Sequence, residues 1–192
     1  MITLPRSRNI IIVDTKLKDK TPTITNESSN GKVESYCLDW QQFSGEVELF
    51  ARNRTAIKEL TSFLSSLNGR SGIFEMSIPD MKPESKILGV PVLHQPVNAK
   101  ATSITLSGFN GLLEQGDYFT LANDSKVYQL LSSGKQGDVF NIKPSLRKTH
   151  QQGTPLALNP VMQCRLDSDD YDMKPKKTTE QMYFSIGFKE NL

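Results

Sequence analysis

Apolar residues recur at every second position over much of the chain, the mark of strands with one buried face. The last segment is the clearest. Met182, Phe184, Ile186 and Phe188 fall on one face, and Tyr183, Ser185, Gly187 and Lys189 on the other. The same period predicts strands around Phe74, Met76 and Ile78, and around Met162, Cys164 and Leu166. Shorter runs follow it at Val47, Leu49 and Ala51, at Ile104 with Leu106, at Phe119 with Leu121, and at Phe140 with Ile142. Tyr36, Leu38 and Trp40 make a looser one. One segment changes period. Between Arg54 and Leu67 the apolar positions are Ala56, Ile57, Leu60, Phe63, Leu64 and Leu67, spaced by three and four, which is one helical stripe. Asn53 or Thr55 suits its N-cap, and Asn68-Gly69 supplies the left-handed stop. A helix of about 14 residues spans roughly 21 Å and must pack on a sheet to be stable.

Four of the ten prolines, Pro79, Pro83, Pro91 and Pro96, crowd one stretch. Proline cannot donate to a sheet ladder, so this stretch is expected to be a linker or an edge. Short strand candidates follow, separated by Asn110-Gly111, Gly116-Asp117 and Gly134 to Gly137, and Asn159-Pro160 closes the block. That spacing of turns suggests a small closed barrel or sandwich. The strand candidates at 161–166 and 181–189 are too few to fold alone, so they are expected to return to the first domain's sheet. The middle block is then an insertion with joints near 86 and 160. The polar stretch Thr15 to Lys32 reads as a long exposed loop.

Composition narrows the chemistry. With 192 residues the chain makes one large domain or two small ones, and can bury a core without disulfides or metals. A net charge of +2, from 23 basic and 21 acidic residues, is not that of a dedicated nucleic-acid binder. The basic residues are scattered, without an aromatic-interleaved stripe. The longest clean apolar run near the start, Ile10 to Val13, is too short for a signal peptide core or a spanning helix. The expectation is synthesis and folding in a reducing cytoplasm, with Cys37 and Cys164 as small buried hydrophobes. No phosphate-binding loop, nucleophile elbow or metalloprotease motif occurs. His94 and His150 read as surface residues. Asp167, Asp169, Asp170 and Asp172 fail the calcium-loop pattern, with Tyr171 at position five, Asp172 at position six and Thr178 at position twelve. They and Lys174, Lys176 and Lys177 are expected to neutralise one another in a solvated loop, with Pro175 favouring loop over strand. No catalytic, cofactor-binding or metal-binding residue is assigned.

The middle and end of the chain carry a series of short motifs. Gly116-Asp117-Tyr118-Phe119-Thr120-Leu121 is followed by Lys126-Val127-Tyr128 and Ser132-Ser133-Gly134. Val139-Phe140-Asn141-Ile142, Pro144-Ser145-Leu146 and Arg165-Leu166 come next. Ser185-Ile186-Gly187-Phe188 and Glu190-Asn191-Leu192 end the series. In this order they resemble the distal tail proteins of long, non-contractile-tailed phages infecting Gram-negative hosts. The strand, helix and strand over 33–78 match that family's first domain in order and length. The resemblance covers most of 33–192, and the loop at 14–32 lies outside it.

The resemblance implies a mainly β fold: a β-sandwich ring domain with one flanking helix (1–86 and 161–192) and an inserted OB-like barrel (87–160). It implies a structural virion protein, six copies of which form a ring at the distal end of the tail. That hub joins the tail tube to the tip or baseplate and the fibres. A near-neutral chain suits a ring through which DNA passes, because lined-up lysines would hold the phosphates. A closed six-fold ring needs heterologous contacts, for which sheet edges are natural places. Two other readings remain open. The barrel could bind host-surface saccharide, with Tyr118 and Tyr128 as stacking platforms or else as ordinary barrel wall. The chain could also be another tail component, such as a completion protein. An enzyme is the least expected class.

Overall fold

The computed structural model describes residues 2–38, 40–77, 81, 83–176 and 180–192. Ile78, Pro79, Lys177 and Thr178, singled out above, lie outside them. The strands in chain order are β1 (Ile2–Thr3), β2 (Ile10–Lys20), β3 (Thr23–Glu27), β4 (Val33–Cys37) and β5 (Gln42–Ala51). Helix α1 (Arg54–Ser66) comes next, then β6 (Phe74–Met76), β7 (Ile87–Leu93), β8 (Ser103–Gly111), β9 (Tyr118–Leu121) and β10 (Tyr128–Leu130). The last are β11 (Val139–Lys143), β12 (Leu156–Ala157), β13 (Met162–Leu166), β14 (Asp172–Pro175) and β15 (Met182–Glu190). The protein is mainly β with one α-helix among the described residues, as the period of the sequence predicts.

Contacts divide the chain into two compact units, one of residues 1–20, 42–76 and 162–192, the other of 21–41 and 77–161. The sequence expectation sets 21–41 and 77–86 with the first. Two local features account for their place in the second. The Asp117 carboxylate accepts from the Glu84 and Ser85 amides at 3.0 and 3.3 Å and from the Ser85 hydroxyl, tying the proline-rich segment to the turn before β9. The Lys126 ammonium likewise holds Gln41 Oε1 at 2.6 Å.

The first unit is one hydrogen-bonded sheet in the order β1-β6-β13-β15-β5-β2, with β14 also on β15. β13 and β15 pair with β6 and β5, so the two late strands do return to the early sheet. Odd positions of β5 and even positions of β15 point to one face, where Val47, Leu49, Phe184, Ile186 and Phe188 are buried. Helix α1 begins where Asn53 Oδ1 accepts the Ala56 amide at 2.9 Å. It ends at Asn68 and Gly69, both left-handed (φ 50° and 63°). Its apolar stripe is buried, with Phe63 packed edge-on against Phe74 at 5.6 Å.

Two expectations fail here. Thr15 to Lys32 is not a loop: β2 runs to Lys20 in register with β5, and β3 and β4 form a hairpin. A bulge between Ile12 and Asp14 is why alternation missed β2. One extra residue shifts the inward phase from Ile10 and Ile12 to Thr15 and Leu17, so period two breaks in mid-strand. The segment around Pro175 is also strand. β14 lies exposed along β15, and Pro175 stands at its end, where a missing amide is tolerated. Of the looser run, only Tyr36 is in a strand, because β4 ends at Cys37.

Gly45 has no room for a side chain. A Cβ there would fall on the Lys16 carbonyl oxygen and 3.1 Å from the Phe188 ring. Gly45→Ala is therefore expected to part β2 from β5 and to destabilise the first unit by about 1–3 kcal/mol or more. Amide exchange over 10–20 faster than in the wild-type chain would show it, and unchanged protection there would refute the packing argument.

The second unit is a six-stranded antiparallel sheet in the order β12-β9-β10-β11-β8-β7. Its end strands meet through a Val92–Pro155 bridge and a Leu93 amide to Thr154 carbonyl bond of 3.0 Å, so the sheet is nearly closed into a barrel. An OB barrel has five strands, and this one has six. Its core holds Leu106, Phe119, Tyr128, Leu130 and Phe140, with the Phe119 and Tyr128 rings stacked at 5.6 Å. Pro91 lies in the bulge of β7, an end strand of the sheet, where a proline fits.

Candidate functional site

A buried group of ionisable side chains lies in the barrel unit around Asp124. Its side chain is fully buried. Oδ2 accepts from the Tyr128 hydroxyl at 2.7 Å, and Oδ1 from the Lys126 amide at 3.1 Å and Arg147 Nη2 at 3.3 Å. His150 Nε2 stands 3.6 Å from Oδ2 and is buried without a hydrogen-bond partner. The Tyr128 hydroxyl in turn accepts the Arg147 amide at 3.1 Å. Asx-type geometry explains the start of this cluster, since Asp124 sits just after the left-handed Asn123 (φ 64°) and caps the amide two residues on.

Three expectations are corrected by this cluster. His150 is not on the surface but 6% exposed, because its backbone pairs with Val97 and carries the ring inward. His94 is exposed as expected. Tyr128 is wholly buried and belongs to the barrel wall, so it offers no stacking platform, while Tyr118 is half-buried. Only Asp124 and Tyr128 are near neighbours in the sequence, and their partners Arg147 and His150 come from about 20 residues on. The carboxylate is spent on three donors, and the imidazole is buried beside it.

In the first unit, Asp169 turns from its expected lysine neighbours to Arg70. It accepts from the Arg70 amide at 3.0 Å and pairs with the guanidinium at 3.1 Å. The Arg70 amide, then its side chain, hold Asp169 below the usual carboxylate range. Lys176 instead lies 5.9 Å over the Phe50 ring. Across the solvent-side face of the sheet, Glu46 accepts from the Ser185 hydroxyl and pairs with Lys16 at 3.4 Å, contacts that lower its pKa. No group of three or more metal-ligating side chains is assembled among the described residues. No helix of the described residues is long and apolar enough to cross a membrane.

Cys164 is buried as expected, but Cys37 is exposed near the base of the hairpin. Burial, with the Glu190 charge nearby, pushes the Cys164 thiol far up. Burial likewise pushes the Tyr128 hydroxyl far up. Its bond to Asp124 adds to the effect, and the Arg147 amide opposes it. Both groups keep their proton in the folded chain at a pH where the unfolded chain has lost it. Their stabilisation is thus fully present below the unfolded pKa, about 8.5 for cysteine and about 10 for tyrosine, and is lost as pH rises further. Each group is expected to remove about 1.4 kcal/mol per pH unit above its onset. Urea unfolding at pH 7 to 11 checks this. Cys164→Val should abolish the earlier onset in the first unit, and an onset unmoved by that change would refute the assignment.

The hairpin is the other unusual feature. All ten residues of β3 and β4 are exposed, including Ile24 (57%), Val33 (55%) and Tyr36 (68%). Register places Ile24 opposite Tyr36 on one face, and Thr25 opposite Ser35 on the other. Lys32 and Glu34 pair at 2.8 Å beside the Gly31 turn. Compared with models of known protein families and with curated proteins, the chain matches none.

Proposed function

We propose that this chain is a structural subunit of a phage tail tip, six copies of which form the ring that joins the tail tube to the tip or baseplate and the fibres. The hairpin carries the reading. A two-stranded hairpin is marginal in water by itself. Its β-branched and aromatic side chains are turned out to solvent, so it is stabilised when another surface covers it. The sheet of the first unit adds two open edges, β1 and the 11-residue β2, whose lysines guard against random pairing while leaving a ladder available for a specific partner. The motif order from Gly116 to Leu192 supports the tail family over other assemblies. The Asp124 cluster, whose shared carboxylate is fully buried, fits a subunit whose work is to hold shape.

Imaging of intact tails with antibody fragments against this chain tests the proposal. The expected result is label in a six-fold ring between tube and tip. Label at the head-proximal end, or tips assembled normally without the chain, would overturn it.

A further inference from the structure

We infer that the barrel unit carries a saccharide-binding cleft walled by Trp40, Leu131 and Pro144. The cleft holds about 460 Å³, within the range of small-molecule sites. Trp40 is the chain's single tryptophan and is 41% exposed; Leu131 is 43% exposed. Beside this apolar wall stand polar groups of a different kind. Thr21 Oγ1 is buried with no hydrogen-bond partner, which is unfavourable unless something else supplies one. The Asn141 side-chain amide makes no hydrogen bond to any described residue, while its own backbone is fixed by Ser132 Oγ at 3.0 Å. Gln41 also lines the cleft but is 3% exposed, and its Oε1 accepts from the buried Lys126 ammonium at 2.6 Å.

That combination selects the ligand class. A pyranose ring offers a C–H face for an indole and a rim of hydroxyls for amide and hydroxyl side chains. A purely apolar ligand would leave Thr21 and Asn141 unpaired on burial. A second cleft of the barrel unit, between β7 and β12, also has polar side chains in its lining (Ser85, Thr120, Asn159) but no aromatic residue to face a sugar ring. The tyrosines first considered as platforms are not part of the Trp40 cleft. The site does not depend on the tail-ring reading, since one copy contains all of it, so either can fail alone.

The single tryptophan makes the test direct. The full chain is titrated with chitotriose, maltotriose and delipidated Gram-negative O-polysaccharide, following Trp40 emission and, in parallel, the heat of mixing. Saturable binding of at least one probe with a change in emission is expected. Asn141→Ala and Thr21→Val, checked for folding by circular dichroism, should each weaken it by about three- to tenfold, the worth of one hydrogen bond. Neither signal from any probe up to about 10 mM, the limit of useful affinity, overturns the proposal. So does binding that both variants and Trp40→Ala leave unchanged.

Discussion

Asp124→Ala is expected to destabilise the barrel unit by about 2–4 kcal/mol, because it leaves the buried Tyr128 hydroxyl and the Lys126 amide each without an acceptor, at about 1–3 kcal/mol per group. The carboxylate is the shared acceptor for Tyr128, Arg147 and the Lys126 amide, and its loss leaves the Tyr128 hydroxyl in the core with one bond fewer. Arg147 is about one-third exposed and can turn to water, so the larger part of the loss comes from the buried tyrosine, the amide and the collapsed space. Tyr128→Phe removes one hydrogen bond and is expected to lower stability by about 1–1.5 kcal/mol. Denaturant unfolding followed through Trp40, which lies in the same unit, gives both numbers. An Asp124→Ala chain within about 1 kcal/mol of wild type would mean that the cluster is not what holds the barrel's Arg147–His150 segment.

Replacing residues 24–36 by a short Gly-Ser turn is expected to leave both units folded and to abolish ring assembly. None of the removed strand residues is buried, and surface changes of this kind shift monomer stability within about 0.5 kcal/mol. The double change Ile24→Lys and Tyr36→Glu makes the same test without shortening the chain, because it places charge on the one face where the two apolar residues meet. Complementation of a phage lacking the chain supplies the readout. Tails of normal length and number from either variant would show that the hairpin is not an assembly surface. A melting temperature equal to wild type, together with absent tails, would show that it is.

The two predictions draw on parts of the molecule that were unequally legible beforehand. The hairpin residues were in view as a polar, threonine-rich stretch, but they read as loop. Alternation of apolar and polar side chains marks a strand only when one of its faces is buried, and in β3 and β4 neither is. β2 was hidden for another reason, its bulge at Val13. The Asp124 cluster was invisible as a cluster. Asp124 and Tyr128 are four residues apart, but Arg147 and His150 reach them only because the segment before β12 folds back over the end of β10.

The sequence by itself determined what depends on neighbours along the chain. Alternating side chains made β5, β13 and β15, the three-four spacing with Asn53 and Asn68 made α1, and the late strands had too little surface of their own to stand alone. Only the tertiary structure decided what depends on distant partners. It placed 21–41 and the proline-rich segment with the barrel, through Gln41–Lys126 and Ser85–Asp117. It turned His150 inward, moved Asp169 to Arg70, and gathered Trp40, Thr21 and Asn141 round one cleft. Local periodicity reflects which face a residue shows. Which group meets that face is set by chain crossings of about 20 to 120 residues, and no short-range pattern encodes them.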